Sequence, residues 1–194
     1  MIVDLYLNNK TVVVVGGGIE GSHKVRGLVD QNCNIIVIIN RTNRYLSNLE
    51  KQGKISIVKS KLTNAKMILD NYKDLFLIIA ATNDKILNQL LVDRGRQIGT
   101  FAYASDDPRY SDFSYLSLIP MGYGCQIGIS TSGRSPIMAR RIRIRAERAL
   151  HRIFNHDLPN SECIFHIPNR SKNYIQAQQN TPKQKYSQSN FITI

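Results

Sequence analysis

Short apolar runs alternate with longer amphipathic stretches through the first half of the chain. Thr11–Val15 is a continuous β-branched run, and Leu75–Ala80 is the most apolar segment. Runs of this length, bounded by turn residues, are typical of strands that are buried on both faces. The same criterion predicts five strands in all: Thr11–Val15, Asn34–Ile39, Lys54–Val58, Leu75–Ala80 and Thr100–Ala104.

Between these runs, apolar residues recur at the spacing of a helix face, as Val25, Leu28 and Val29 do. The predicted helices are Ile19–Asp30, Arg44–Gln52 and Lys85–Ile98, and the segment Lys61–Tyr72 is predicted to hold a helix with a polar turn. Strands that alternate with helices form a parallel sheet covered on both faces. The predicted fold class is therefore α/β, with a Rossmann-type parallel sheet.

The alternation stops near residue 110. Two extended segments, Phe113–Ile119 and Gln126–Ser130, flank a turn at residues 120–124 and predict a hairpin. Ser135 suits the N-cap of a long helix that starts with proline and runs to about Phe154.

We therefore divide the chain into three regions. Residues 1–110 form the Rossmann-type domain, and residues 111–155 form a hairpin and a basic helix. Residues 156–194 form a short polar segment with some helix, which we expect to be partly disordered because Asn, Gln, Ser and Lys dominate it.

Composition narrows the class of protein. The net charge of +12 is compatible with three classes of partner: an acidic small molecule, nucleic acid or an anionic membrane. The alternative is that the charge only keeps the protein soluble. The longest apolar runs fall well short of the ~20 residues of a membrane helix, so we expect no membrane span. The three cysteines are widely spaced, which fits a reduced, cytoplasmic setting. The histidines show no metal-ligand spacing, so we assign no metal.

A glycine turn, GGGIEG, follows the first strand and opens the first helix, as a dinucleotide site requires. Gly16 permits the tight turn, Gly18 lets a pyrophosphate approach the backbone, and Gly21 lets helix and strand come close. The helix N-terminus then offers free N–H groups to the phosphates. The alternative is a purely structural turn, and the strand–turn–helix context favours the dinucleotide.

Two further strand ends carry candidate cofactor residues. The acid that usually follows the second strand is absent, and Asn40 and Arg41 stand there instead. Asn40 can bind a ribose hydroxyl, whereas Arg41 either pairs with a 2′-phosphate, which favours NADP, or is a solvated loop cation. Thr82 lies among small residues after the fourth strand, where a dinucleotide comes close to the backbone, and the neighbouring Asp84 can cap the next helix.

A hydroxyl-rich loop, residues 130–135, and an arginine-rich helix are candidates for anion recognition. Arg141, Arg145, Arg148 and Arg152 are spaced to share one side of the helix. Guanidinium groups on that side can bind an acidic small molecule, face the solvent or pair with acidic residues of a dimer partner. Nucleic acid is the weakest interpretation, because no interleaved aromatic residues or helix-turn-helix accompany the arginines.

Four segments in order give the chain a specific resemblance: VVVVGGGIEGSHK (12–24), LIIAATND (77–84), ASDDP (104–108) and ISTSGRSPIMARRIR (129–143). Together they resemble the precorrin-2 dehydrogenase family, including the amino-terminal half of siroheme synthases. The resemblance covers roughly Leu5 to Leu150, and the last two segments are the most specific.

The resemblance implies an enzyme that oxidises precorrin-2, a tetrapyrrole, to sirohydrochlorin with NAD; some members also insert ferrous iron. It implies a homodimer that is formed through the hairpin and the following helices. It assigns catalysis to Asp106 and places Thr131 near the substrate. The cofactor contacts that it implies fall on Ile19, Glu20, Asn40 and Arg41.

The residues themselves leave two interpretations of Asp106 and Asp107: a catalytic carboxylate on a loop at the sheet edge, or an Asp-Pro turn. We choose Asp106 for chemistry and Asp107 for the turn. The substrate candidates are Thr131, Ser132, Arg141 and Arg145.

Three functional hypotheses follow: the NAD-dependent dehydrogenase, a non-catalytic dinucleotide- or tetrapyrrole-binding module, and a different NADP-linked reductase. The hairpin has Tyr115-Leu116-Ser117 where the family usually has a Phe-Pro-Ala-like segment, and this difference and the polar C-terminal region motivate the second hypothesis. The Asn40–Arg41 pair motivates the third hypothesis.

Overall fold

The computed structural model describes residues 2–62, 64–72, 74–122 and 125–157. The chain forms two compact units, divided between Tyr115 and Leu116. The predicted three-region division stays a prediction, and nearly all of its last region, residues 156–194, lies outside the described residues.

The first unit contains a five-stranded parallel sheet with the order β3-β2-β1-β4-β5. Its strands are β1 (Thr11–Val15), β2 (Asn34–Ile39), β3 (Ser56–Lys59), β4 (Leu75–Ala80) and β5 (Phe101–Ala104). Its α-helices are α1 (Ile19–Leu28), α2 (Arg44–Lys51), α3 (Ala65–Leu69) and α4 (Lys85–Gln97). This order reverses direction between β1 and β4, which is the switch point of a Rossmann fold. The predicted fold class is confirmed.

Alternate residues of β1 enter the two faces of the sheet. Val12 and Val14 belong to a cluster with residues of α1 and α2, while Val13 and Val15 belong to a cluster with residues of α3 and α4. All four valines are fully buried, as the continuous apolar run predicts for a central parallel strand. Helices therefore cover both faces, and the carboxyl ends of β1, β4 and β5 come together at one edge.

The helix α3 lies within the segment Lys61–Tyr72, in which a helix and a polar turn are predicted, and it begins after Asn64. The Asn64 side chain accepts hydrogen bonds from the backbone N–H groups of Lys66 and Met67 and so forms an N-cap. An N-cap residue has non-helical backbone geometry, which excludes helix on its amino-terminal side.

The second unit contains an antiparallel hairpin and a long helix: β6 (Ser117–Gly122), β7 (Cys125–Ile129) and α5 (Pro136–Asp157). The predicted turn at residues 120–124 is too long, because Pro120 lies in β6 and pairs with Gln126. Proline is tolerated there because the sheet has only two strands and its register shifts between Pro120 and Gly122.

The first predicted hairpin strand also starts too early, since Phe113 and Tyr115 belong to the first unit. Their rings lie 5.4 and 4.9 Å from the ring of Tyr103 in β5. Aromatic packing thus replaces strand pairing for this segment. Among the described residues, no helix has the length and apolar character needed to cross a membrane.

Candidate active site

Two positions, one in the turn after β1 and one in the first turn of α1, accept only glycine. Gly16 has a φ of +112°, and a Cβ added there would lie 2.2 Å from the carbonyl oxygen of Ala81. A Cβ added to Gly21 would lie 1.9 Å from the carbonyl oxygen of Gly16. The start of α1 therefore lies so close to the ends of β1 and β4 that no side chain fits between them, as the glycine pattern predicts.

Gly18 has the opposite environment. No atom lies within 4 Å of the position that its Cβ would take, so the backbone is open on that side. Gly18 is the N-cap of α1, and no side chain caps this helix. The other α-helices of the first unit that the structure describes are capped by Asn43, Asn64 and Asp84.

The N-terminus of α1 therefore presents uncapped N–H groups together with the positive end of the helix dipole. Ile19 is 78% exposed and Glu20 is exposed, so neither side chain covers the turn. A tight glycine cradle with one open face fits the pyrophosphate of a dinucleotide.

The turn is braced by Asn43, a residue that the sequence reasoning missed. Its Nδ2 donates to the carbonyl oxygen of Gly17 and to the hydroxyl of Ser22, both at 2.9 Å, while its Oδ1 caps α2 by accepting from Leu46. The only sequence signal is an asparagine in front of a helix. Of the residues predicted after β2, Asn40 accepts a hydrogen bond from Leu62 N and Arg41 is exposed.

At the carboxyl ends of β4 and β5, a hydrogen-bond network joins Thr82 to Asp106 through Asn88 of α4. Asn88 is fully buried. Its Nδ2 donates to the Thr82 carbonyl at 3.1 Å and to Asp106 Oδ1 at 2.8 Å. Its Oδ1 accepts from the backbone N–H and the hydroxyl of Thr82. Sequence reasoning missed Asn88, since a polar residue within an amphipathic helix looks like part of its solvent face.

The two neighbouring aspartates have different environments. Asp106 is exposed and accepts the hydrogen bond from Asn88. Asp107 binds the Arg109 guanidinium at 2.8 Å and caps a short 3₁₀ helix, Pro108–Tyr110. The Arg109 contact lowers the pKa of Asp107. Asp107 therefore has the turn role that the sequence predicts, and the two carboxylates do not form a dyad.

A second group that the sequence reasoning missed surrounds Lys24 of α1. Its Nζ donates to the Tyr103 hydroxyl at 3.2 Å and lies 3.7 Å from the ring centre of Tyr115. Burial lowers the pKa of Lys24, while the charge of Glu20 acts in the opposite direction. Burial also raises the pKa values of Tyr103 and Tyr115. The ammonium is thus held against two aromatic faces.

In the second unit, the hydroxyl-rich loop is an ordered turn before α5. The Thr131 hydroxyl accepts from Ser135 N and donates to Ser135 O, both at 3.2 Å. Ser132 and the following Gly133 have positive φ values of 53° and 74°. The Ser135 hydroxyl accepts from Met138 N, so it caps α5 as predicted.

The predicted arginines Arg141 and Arg145 are exposed on α5. Arg143, between them, is only 6% exposed and pairs with Glu147 at 3.2 Å. Arg143 is therefore used within the unit, and its two neighbours are available to a ligand. In the described part of the chain, no group of three His, Cys, Asp or Glu side chains is placed to hold a metal ion.

The sheet has the strand order of a Rossmann fold. Together with the glycine turn after β1 and the uncapped N-terminus of α1, this order defines a dinucleotide-binding protein of the Rossmann class. The chain belongs to the family described as "Putative NAD(P)-binding", whose model matches residues 3–117.

Relatives with similar sequences are siroheme synthases. The chain is 31% identical over 144 residues to siroheme synthase 1 of Aeromonas salmonicida, and this covers 74% of the chain and 30% of that protein. It is also 31% identical over 144 residues to the siroheme synthase of Neisseria meningitidis serogroup C, covering 74% and 29%. The chain thus spans less than a third of the length of these relatives. The predicted resemblance to this family is confirmed.

Among solved structures, SirC, a precorrin-2 dehydrogenase, matches with a TM-score of 0.63 at 20% identity, covering 84% of this chain and 83% of that chain. This likeness extends over both units and shows that they share its fold.

Proposed function

We propose that the chain is an NAD-dependent precorrin-2 dehydrogenase, which oxidises precorrin-2 to sirohydrochlorin in siroheme synthesis. The observation that carries the proposal is the pairing of the uncapped N-terminus of α1 with Asp106 at the same edge of one sheet. The likeness to siroheme synthases and to SirC supports this substrate over other substrates of Rossmann enzymes.

The reaction removes a hydride and a proton from the macrocycle. When bound, NAD supplies the hydride acceptor. In the proposed site, the backbone of Gly16, Gly18 and Gly21 and the N–H groups at Ile19 and Glu20 hold the pyrophosphate. The other proposed contacts to the cofactor come from Asn40, Arg41 and Thr82.

Asp106 takes the proton in this proposal. A carboxylate that is exposed at the sheet edge and held through one oxygen is suited to accept it, because its other oxygen remains available to the substrate. Asp107 is already committed to Arg109 and to the 3₁₀ helix, which makes it a poor general base.

The second unit supplies the proposed substrate contacts. The exposed guanidinium groups of Arg141 and Arg145 suit the carboxylates of the tetrapyrrole. Thr131 and Ser132 lie in the turn before α5 and are the other proposed substrate contacts, Ser132 through its exposed hydroxyl.

We also propose that the active form is a homodimer. On α5, Ile137, Met138 and Ile142 are 69, 50 and 43% exposed. Large apolar side chains grouped at one end of a helix favour association with another protein surface. Sedimentation velocity at micromolar protein should give the mass of a dimer; a monomer at all concentrations would contradict this part of the proposal.

An anaerobic assay that supplies precorrin-2 with NAD or NADP tests the activity, with formation of sirohydrochlorin followed by absorbance. We expect turnover with NAD and at least about a hundredfold lower kcat for Asp106→Asn, the usual scale of a lost general base. Asp107→Asn is the matched control and should retain turnover. Absence of turnover with both dinucleotides would overturn the proposal.

The same assay resolves two further questions. Arg41→Ala should lower any use of NADP more than the use of NAD, because only NADP has the 2′-phosphate. Adding ferrous iron after oxidation then shows whether sirohydrochlorin, once formed, is converted to siroheme.

A further inference from the structure

We propose that Asn88 is a positioning residue that fixes the catalytic carboxylate of Asp106. The kinetic consequence of this inference rests on the proposed dehydrogenase activity. The geometric part stands on the contacts of the buried amide, which joins the ends of two strands at the site.

The orientation of the Asn88 amide is determined by Thr82. The backbone N–H of Thr82 can only donate and its carbonyl can only accept, so Oδ1 must face the former and Nδ2 the latter. The second hydrogen of Nδ2 then has one direction left, and Asp106 Oδ1 lies there at 2.8 Å. Asp106 therefore always meets a donor.

The amide has no spare capacity. Its two hydrogens go to Thr82 O and Asp106 Oδ1, and its oxygen accepts from the backbone and the hydroxyl of Thr82. A fully buried amide with four partners cannot rotate without leaving a buried polar group unpaired, which costs about 1–3 kcal/mol. The network is therefore rigid.

The backbone around Asn88 is fixed as well. Asn88 lies in the first turn of α4, and Asp84 caps that turn by accepting from the N–H groups of Ile86 and Leu87. The backbone N–H of Asn88 donates to Asp84 O at 3.0 Å. A carboxylate on an exposed loop is thereby connected to a capped helix, and this connection gives Asp106 a defined position.

Asn88 does not have to touch the substrate to matter. A shift of about 1 Å in a reacting group can cost on the order of a hundredfold in rate. Losing the Nδ2 donor should therefore lower kcat and leave the dinucleotide affinity and KM nearly unchanged. Loss of a merely structural contact would lower stability and leave kcat unchanged in the molecules that remain folded.

A double-mutant cycle in the full chain separates these roles. Asn88→Leu should lower kcat about tenfold to a hundredfold in the wild-type background. In the Asp106→Asn background it should change kcat less than about twofold, because its effect acts through that carboxylate. Equal effects in both backgrounds would overturn the proposal.

Two variants control for stability. Asn64→Ala removes the cap of α3 and should lower the Tm without changing kcat. Asn88→Ala removes the donor toward Asp106 without adding a charge or a larger side chain, so it should reproduce the kcat loss if Asn88→Leu does not fold. Wild-type kcat in Asn88→Ala would overturn the proposal.

Nuclear magnetic resonance tests the contact between Asn88 and Asp106 without requiring catalytic activity. The side-chain amide resonances of Asn88 should shift in Asp106→Asn and remain in place in Asp107→Asn. If wild-type protein shows no turnover, the proposed function fails while this shift still supports the positioning contact. If the resonances do not respond to Asp106→Asn, the positioning role is wrong whatever the activity.

Discussion

The helices α1 and α4 both start at the carboxyl edge of the sheet, after neighbouring strands, yet their N-termini are built differently. α1 begins at Gly18 with no capping side chain and open space beside it. α4 begins at Asp84, whose carboxylate accepts two backbone N–H groups, and its first turn holds the buried Asn88.

This difference assigns different tasks to the two strand ends. A capped N-terminus has little left to offer an anion, because its donors already have partners. An uncapped one keeps its donors and dipole for a ligand. The end of β1 is therefore suited to phosphate binding, and the end of β4 is suited to fixing protein groups such as Asp106.

Alanine at two glycines of the turn gives the largest test of this comparison. Gly21→Ala forces a Cβ against the Gly16 carbonyl and should destabilise the fold by about 3 kcal/mol. For a chain of this size that lowers the Tm by roughly 10 °C. Gly18→Ala has free space and should change the Tm by only about 2 °C. Thermal denaturation measures both, and equal losses would show that the open face of Gly18 is closed.

An aspartate in place of Gly18 would give α1 the same kind of N-cap that Asp84 gives α4. Gly18→Asp should raise the Tm slightly, because the carboxylate caps α1 and favours its dipole. It should weaken dinucleotide binding at least about tenfold, a change of 1.4 kcal/mol, because it takes up the donors and repels phosphate. Calorimetric titration with NAD checks the second effect. Unchanged affinity would contradict a phosphate site there.

Removing the cap of the second helix should have a smaller effect of the opposite kind. Asp84→Ala leaves the N–H groups of Ile86 and Leu87 without their acceptor and should cost about 1 kcal/mol. The dinucleotide affinity should stay within about twofold, since the phosphates are not placed at α4. Chemical denaturation measures the loss of stability, and calorimetric titration with NAD measures the affinity. A large loss of affinity would indicate that the phosphates bind near the end of β4 instead.

After β5, Asp107 caps the 3₁₀ helix Pro108–Tyr110, and the strength of this cap depends on the charge of the carboxylate. Because Arg109 lowers the pKa of Asp107, the ionised carboxylate stabilises the fold at neutral pH, and this contribution is lost as pH falls through the lowered pKa. The free energies of unfolding of wild type and Asp107→Asn should therefore converge as the pH falls below 3.8, the ordinary pKa of an aspartate. The effect is small because Arg109 is 89% exposed. A difference that stays constant with pH would contradict it.

The elements with strong local signals were predictable from the sequence. The β-branched run of β1 and the glycine turn depend on neighbours in the chain, and both appear where the patterns predict them. The asparagine side chains that hold the site in place were not predictable. Asn43 and Asn88 act on residues 26 and 18 positions away, and no spacing rule reports such contacts.

The hairpin shows the reverse error. The sequence predicted an extended hairpin strand from Phe113, but the rings of Phe113 and Tyr115 pack against Tyr103, which lies on β5. Tertiary packing decided the structure of that segment, and local propensity did not.

Binding of the pyrophosphate at the N-terminus of α1 can be tested by titrating NAD into ¹⁵N-labelled protein and following the backbone amide resonances. We expect the amides of Gly18, Ile19 and Glu20 to shift most, and those of Ile86 and Leu87 in α4 to shift little. Saturating NAD that leaves the α1 amides in place, or that shifts the α4 amides more, would contradict it.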